Sequence, residues 1–169
     1  MTRIFLSVLM FLSFAVWSGR APAGVPAAFA APAGKVLATF HAEGTQLYEC
    51  KADSRGQLTW TFREPVATLL LNGKTVGRHY AGPTWELTDG SAVTAKVVSN
   101  APGATASDIP WLELDATNHQ GGGLLSKATA VQRINTHGGV AQSKCDQPGS
   151  FLNVPYSADY KFLNRNGQD

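Results

Sequence analysis

The sequence predicts an all-β domain, an antiparallel β-sandwich or closed β-barrel of about ten strands with one disulfide. Apolar side chains recur at every second position along most of the chain after residue 36. Turn-forming residues interrupt this alternation every eight to twelve residues, a spacing typical of sandwiches and barrels. No segment shows the apolar period of an amphipathic helix, so we expect a fold built from antiparallel strands alone.

The clearest strand covers residues 154–162, where apolar side chains alternate with polar ones. Such alternation gives a strand one face toward the core and one toward water. Residues 58–62 alternate in the same way, and Asn72-Gly73 between two apolar runs predicts a tight hairpin. The remaining predicted strands are residues 36–41, 46–51, 66–71, 75–80, 84–88, 92–99, 111–116 and 128–135.

The hairpin at Asp89-Gly90 allows its register to be predicted. With a two-residue loop, Glu86 would face the core and Trp85 would face water. A three-residue loop with a left-handed Gly90 in a G1 bulge instead places Trp85 opposite Val93. We favour the bulge, because a slip of one residue would send every side chain of the strand to the wrong face.

The N-terminus has the composition of an export signal. Arg3 precedes an apolar run at residues 4–17, which is short for a membrane span and is followed by small residues. Cleavage after Ala23 or after Ala30 fits the small-x-small rule, and a retained amphipathic anchor is the alternative. The predicted division is a signal peptide at 1–30, a flexible linker at 31–35 and a single all-β domain at 36–169.

The charges balance once the signal is removed. The whole chain has 14 Lys and Arg residues against 12 Asp and Glu residues, and removal of Arg3 and Arg20 makes the two numbers equal. This balance, without any basic run, argues against nucleic acid as a partner. No second apolar stretch is long enough to cross a membrane after signal removal. We therefore expect a secreted or periplasmic protein, and the sequence leaves its oligomeric state open.

The two cysteines, Cys50 and Cys145, are expected to form a disulfide, because exported proteins enter compartments where disulfides persist. A loop of this length would stabilise the fold by roughly 4 to 5 kcal/mol in the chain-entropy model. Two free thiols or a metal pair are the alternative, but no CxxC motif or Cys-His spacing supports it.

Aromatic and polar residues crowd around the Gly82-Pro83 turn, which suggests a binding surface. Trp85 is also well explained as a core residue, since its burial would contribute ~4 to 6 kcal/mol. The leading hypothesis is an exported, non-enzymatic protein that binds a small molecule, a glycan or a protein partner, and a structural extracellular component is one alternative. The candidate ligand-binding residues are His79, Tyr80, Trp85, Glu86, Trp111, Arg133 and His137.

A secreted hydrolase that pairs His79 or His137 with a carboxylate is the rival hypothesis. The four histidines lie in separate segments without an HxH or HxxxH spacing, so no metal site is predicted. The chain has no GxSxG motif, and its triple glycine at residues 121–123 lacks the strand and helix that flank a dinucleotide or phosphate loop. We expect no cofactor, and no catalytic residue is assigned.

Several motifs occur in order along the chain: TQLYECK at 45–51, HYAGPTWELTDGS at 79–91, IPWLEL at 109–114, QRINTHGG at 132–139, Cys145 and VPYSADYKF at 154–162. Together they resemble a family of small secreted bacterial and fungal proteins known as a domain of unknown function. The resemblance implies an exported single domain with paired cysteines. Some fungal relatives carry the label malate dehydrogenase, which does not transfer, because a nicotinamide enzyme needs a phosphate-binding turn in a parallel α/β sheet.

Overall fold

The computed structural model describes Phe29 and residues 34–167. The predicted signal peptide, apart from Phe29, and residues 31–33 of the predicted linker lie outside these residues. Within the described part of the chain, no helix is long and apolar enough to cross a membrane. The elements are β1 (Lys35–Ala52), β2 (Leu58–Leu71), β3 (Lys74–Tyr80), β4 (Thr84–Leu87), β5 (Ala92–Ala101), β6 (Trp111–Gln120), a 3₁₀ turn (Leu124–Lys127), β7 (Ala130–Gly138) and β8 (Phe151–Asn164).

The eight strands form a closed antiparallel barrel in which each strand pairs with the next and β8 returns to β1. The predicted all-β class is confirmed, and the architecture is the barrel rather than the sandwich. The strand number is eight rather than ten, because the predicted segments 36–41 and 46–51 are one strand, as are 58–62 and 66–71. Gly44 interrupts the apolar pattern of β1, but its missing side chain lets β1 and β2 approach: a Cβ there would lie 2.1 Å from the Val66 carbonyl oxygen.

The two hairpins have the turns that their sequences predict. Asn72 and Gly73 both have positive φ, at 50° and 74°, as a type I′ turn requires. Trp85 lies opposite Val93, and Gly90 is left-handed with a φ of 82°. Trp85 is only 1% exposed, so the bulged register is confirmed.

Large side chains fill the interior of the barrel, so the lumen is a core rather than a channel. The rings of Trp85 and Tyr160 meet edge to face, with their centroids 5.2 Å apart, and Phe162 contacts Trp85 at 5.9 Å. Leu69 and Leu114 are almost fully buried in the same core. Such interdigitated aromatic and aliphatic packing is the main favourable contribution to the stability of the fold.

The two ends of the barrel are closed differently. We call the end with the turns at 72–73 and 88–91 the upper end, and the end with the loops 102–110 and 139–150 the lower end. At the upper end, the 3₁₀ turn inserts Leu125, which is fully buried. The Leu125 amide donates to the Ser91 hydroxyl at 3.1 Å, so this plug is attached to the β4–β5 hairpin.

The lower end is held by the disulfide between Cys50 and Cys145, whose Cα atoms are 5.6 Å apart. This bond joins the end of β1 to the loop 139–150, and the predicted pairing is confirmed. The Tyr48 hydroxyl also donates to the Gly139 carbonyl at 2.7 Å. The loop that connects β7 and β8 is therefore fastened against β1 at two points.

Candidate functional site

The barrel separates the seven candidate residues into different environments. His79, Trp85 and Arg133 lie on strands whose register directs them toward Tyr160 in the interior. The other four, Tyr80, Glu86, Trp111 and His137, lie outside this interior group. Alternation within β3 and β4 explains the separation, because neighbouring residues of a strand face opposite sides of the sheet.

His79 is a core residue at 3% exposure. Its imidazole stacks on the Trp85 indole, with centroids 4.5 Å apart and an angle of 3° between the ring planes. Its Nδ1 lies 2.9 Å from the Thr84 carbonyl oxygen. The pKa of His79 is lowered to about 3: burial is the main cause, the Thr84 hydrogen bond opposes it, and the nearby Arg133 charge adds a smaller lowering effect. A buried, neutral imidazole in this setting packs the core, and it gives no support to a role as an acid or base.

Tyr80 and Glu86 belong to a small cluster on the outer surface together with Arg78. Arg78 lies opposite Glu86 in the β3–β4 register and donates to its carboxylate through Nη2 at 2.8 Å and Nε at 3.2 Å. The Tyr80 hydroxyl donates to the same oxygen at 3.0 Å. Hydrogen bonds from Arg78 first, and then from Tyr80, keep the pKa of Glu86 below its usual value. The carboxylate is thus occupied by its own neighbours.

Trp111 and His137 lie apart from the interior group, from the outer β3–β4 cluster and from each other. The Trp111 ring lies edge-on to Phe29, with the centroids 5.7 Å apart. His137 is exposed at the end of β7 and lies opposite Ser157 of β8. The carboxylate near His137 is that of Asp108, and it already accepts hydrogen bonds from the Gly138 amide and from Thr105. The interior group, the outer β3–β4 cluster, Trp111 and His137 therefore do not form one patch.

The structure instead places a cavity at the upper mouth of the barrel, beside the Leu125 plug. The cavity has a volume of about 450 Å³, which is within the range of small-molecule sites. Two of its wall residues are exposed leucines, Leu71 at 45% and Leu124 at 37%. Its apolar lining consists mainly of Leu37, Phe40, Leu71, Val76, Leu87 and Leu124.

Three polar residues, Thr39, Thr88 and Asp89, also belong to the lining of this mouth. Asp89 fixes the plug, because its carboxylate accepts the Ser91 hydroxyl at 2.6 Å and the Leu124 amide at 2.8 Å. The Ser91 hydroxyl has the largest effect, and with the Leu124 and Ser91 amides it lowers the pKa of Asp89 below its usual value. The mouth thus combines an apolar wall with a carboxylate that stays ionised at neutral pH.

The sequence interpretation missed both the mouth and a polar cluster on the outer surface. His41 Nδ1 lies 2.9 Å from Asp159, and the Asn135 amide donates to the other oxygen of Asp159 at 2.8 Å. This cluster has no local sequence signal, because the pairing of β1 with β8 brings it together. Across Phe29 and residues 34–167, no three His, Cys, Asp or Glu side chains are placed to hold a metal ion.

These features define a class of protein: a closed, up-and-down, eight-stranded barrel with a filled interior, a disulfide at one end and an apolar cavity at the other. The chain belongs to the family described as protein of unknown function (DUF3455), whose model matches residues 31–164. The predicted family membership is confirmed. No curated protein and no solved structure matches the chain.

Proposed function

We propose that this is an exported, non-enzymatic binding protein that holds a small, mainly apolar molecule in the upper mouth of the barrel. The observation that carries this proposal is the cavity of about 450 Å³ between β1, β2, β3, β4 and the 3₁₀ turn. The mouth of a β-barrel is a common place for a small-molecule site, and such sites are mostly apolar with a few polar groups.

The exposed leucines supply a reason for a ligand to bind. Leu71 and Leu124 flank the cavity and remain 45% and 37% exposed in the free protein. Covering each of them with an apolar ligand would contribute roughly 1 kcal/mol through the removal of apolar surface from water. The neighbouring Val76 and Leu87 are already part of the apolar wall.

The polar residues of the lining define one further property of the ligand. Asp89 accepts hydrogen bonds and carries a negative charge, and Thr39 and Thr88 belong to the same lining. These groups favour a ligand with an apolar body and one N–H or O–H donor. A negatively charged group at the same position would be repelled by Asp89.

The disulfide supports export. Cys50 is buried and bonded to Cys145 across a sequence separation of 95 residues. Disulfides of this kind persist in oxidising compartments and are rare in the cytosol. Together with the signal-like N-terminal sequence, this bond favours a secreted or periplasmic site of action.

A neutral fluorescent probe, N-phenyl-1-naphthylamine, tests the binding site because it has an apolar body and one N–H group. We expect its fluorescence to rise and saturate when the protein is added, with a stoichiometry of one. Leu71→Asn combined with Leu124→Asn should weaken this binding by at least about tenfold, the equivalent of roughly 1.4 kcal/mol.

The control is Val98→Asn, because Val98 is an apolar residue that is more exposed, at 53%, than either leucine and lies on β5, away from the mouth. Its probe binding should equal that of the unchanged protein. Absence of saturable binding would contradict the proposal. An equal loss in the Val98 variant would also contradict it, since the probe would then be reporting general surface hydrophobicity.

A further inference from the structure

The first residues of β8 lie at the lower end of the barrel and pair with β1 alone. The last β7–β8 pair toward this end joins Gly138 to Tyr156, whereas the β1–β8 pairing continues as far as Glu49 and Phe151. Within Phe29 and residues 34–167, no backbone hydrogen bond reaches the other side of residues 151–155. This segment, which we call the open edge, is therefore an unpaired edge in an otherwise closed sheet.

Two left-handed glycines open the sheet at this place. Gly138 and Gly139 have φ angles of 70° and 92°, a conformation that glycine adopts without steric cost. The chain then follows the loop 102–110 instead of β8, because the Gly138 carbonyl accepts the Ile109 amide at 2.8 Å and the Val140 amide donates to the Ser107 carbonyl at 3.1 Å. The backbone after β7 thus has another partner, and the open edge has none.

Alternation along β8 shows which backbone groups are free. The Ser150 carbonyl accepts an amide of β1 at 2.9 Å, and in an antiparallel pair the groups of every second residue face the same neighbour. The backbone groups of Phe151, Asn153 and Pro155 therefore face away from β1. The Pro155 carbonyl supports this direction, because a Cβ at Gly138 would lie 2.7 Å from its oxygen. Since proline has no N–H, the amide and carbonyl of Asn153 are the central donor and acceptor of the open edge.

A groove of about 360 Å³ lies beside the open edge. Residues 152–155 line it together with Ser107 and the chain after β7, and its apolar lining consists of Val140, Leu152, Val154 and Pro155. None of the lining residues carries a charge. A charged side chain that entered this groove would lose hydration without gaining an opposite charge. The groove therefore favours an uncharged segment with apolar side chains.

We propose that the open edge binds an extended, uncharged peptide segment of another protein, which adds a strand beside β8. Unpaired N–H and C=O groups along a strand recognise a second extended backbone, and alternate side chains of the added strand supply specificity. A second copy of this barrel fits less well, because the chain at 139–143 lines the groove and would meet the body of that copy. The open edge and the upper mouth lie at opposite ends of the barrel, so either proposal can fail without the other.

The uncharged pentapeptide acetyl-TVTVT-amide tests strand addition to the full-length folded protein. We expect saturable shifts of the Phe151 and Asn153 amides in ¹H–¹⁵N spectra, and exchange of the Asn153 amide with solvent that is slower by about tenfold or more. Methylation of alternate peptide nitrogens provides matched control peptides. Methylation of one set should abolish binding, because those N–H groups bond to β8, and methylation of the complementary set should leave it intact.

Asn153→Pro tests the same contact from the protein side. The substitution removes the free N–H but no bond to β1, since the backbone groups of residue 153 face away from β1 as those of Pro155 do. We expect an unchanged register of β8 and peptide binding that is weaker by about tenfold or more. Asn153→Ala is the matched control, because it keeps the N–H, and it should bind the peptide as the unchanged protein does.

The measurements on the unchanged protein keep their meaning whether or not the proline variant folds. Absence of saturable shifts at the open edge would overturn the proposal, as would equal binding of all the methylated peptides. Equal loss in both Asn153 variants would overturn recognition through the backbone. Shifts at residues 151–155 that depend on protein concentration without peptide would assign the open edge to a second copy of this chain and overturn the choice of partner.

Discussion

The imidazole of His79 lies parallel to the indole of Trp85, with an angle of 3° between the rings and 4.5 Å between their centroids. The two residues are opposite one another in the β3–β4 register, so the stack follows directly from the hairpin at Gly82-Pro83. Tyr160 closes the stack from the side at 4.8 Å from His79. The motif that most resembles an active site in the sequence is therefore a packed layer of the core.

The buried His79 predicts a specific dependence of stability on pH. In the unfolded chain His79 takes up a proton at its ordinary pKa near 6.5, but in the folded chain it does so only near pH 3. The contribution of the neutral imidazole to the free energy of unfolding is therefore complete above pH 6.5 and is lost as the pH falls toward 3. As the pH falls from 7 to 5, we expect the protonation of His79 to lower the free energy of unfolding by about 2 kcal/mol.

Urea unfolding of His79→Phe at the two pH values isolates this effect. The variant should show a pH dependence smaller by about 2 kcal/mol than that of the unchanged protein. His137→Phe, at an exposed position on β7, serves as the control and should retain the original dependence. Equal pH dependence in the unchanged protein and the His79 variant would show that the imidazole is not buried in its neutral form.

Gly77 permits β3 and β4 to approach each other. A Cβ at this position would lie 2.2 Å from the Glu86 carbonyl oxygen and 2.9 Å from Leu87 Cδ2. We expect Gly77→Ala to lower the free energy of unfolding by about 1 to 3 kcal/mol, because the backbone must shift to make room. Gly122→Ala is the control, since a Cβ there meets no atom within 4 Å. A stability unchanged by Gly77→Ala would contradict the close approach of the two strands.

The disulfide should account for a large part of the stability. Replacing Cys50 and Cys145 together by alanine frees a loop of 95 residues in the unfolded chain. The chain-entropy model gives a loss of roughly 4 to 5 kcal/mol, measurable as a lower urea midpoint. Reduction of the unchanged protein should have a similar effect. A midpoint that neither treatment changes would mean that the disulfide does not stabilise the fold.

Asp89 should control the mobility of the plug at the upper end. Asp89→Ala removes the acceptor of the Leu124 amide and of Ser91, so the amides of the 3₁₀ turn should exchange with solvent about tenfold faster or more. Asp53→Ala is a matched control, because Asp53 accepts two amides in the turn after β1, at the opposite end. Faster exchange of Leu125 in both variants would indicate global destabilisation instead of local opening.

Much of the sheet could be predicted from local patterns, and its closure could not. The alternation around Trp85 and Val93, with the turn chemistry of Gly90, is sufficient for the register of their hairpin, because a slip would expose the indole. The pairing of His41 with Asp159 joins residues 118 positions apart. No local sequence pattern encodes such a contact, so the choice between sandwich and barrel stayed open.

The candidate site was harder to predict, for a physical reason. His79, Glu86 and Arg133 are residue types that often occur in active sites. In this fold, however, His79 is a buried core residue, Glu86 is paired with Arg78, and Arg133 donates to a backbone carbonyl. The leucines of the mouth, such as Leu71 and Leu124, come from distant segments and each resembles an ordinary core residue. Only the closed barrel shows that they remain exposed around one cavity.

The proposal that the upper mouth is a ligand site is tested most directly by mapping where N-phenyl-1-naphthylamine binds. In a ¹H–¹⁵N titration, we predict saturable shifts with one dissociation constant at the backbone amides of the mouth, centred on residues 37–40, Leu71, Val76, 87–89 and Leu124. The amides around Tyr48 and Phe62 at the lower end should not move. Shifts spread evenly over the barrel, or concentrated at that lower end, would contradict a binding site at the upper mouth.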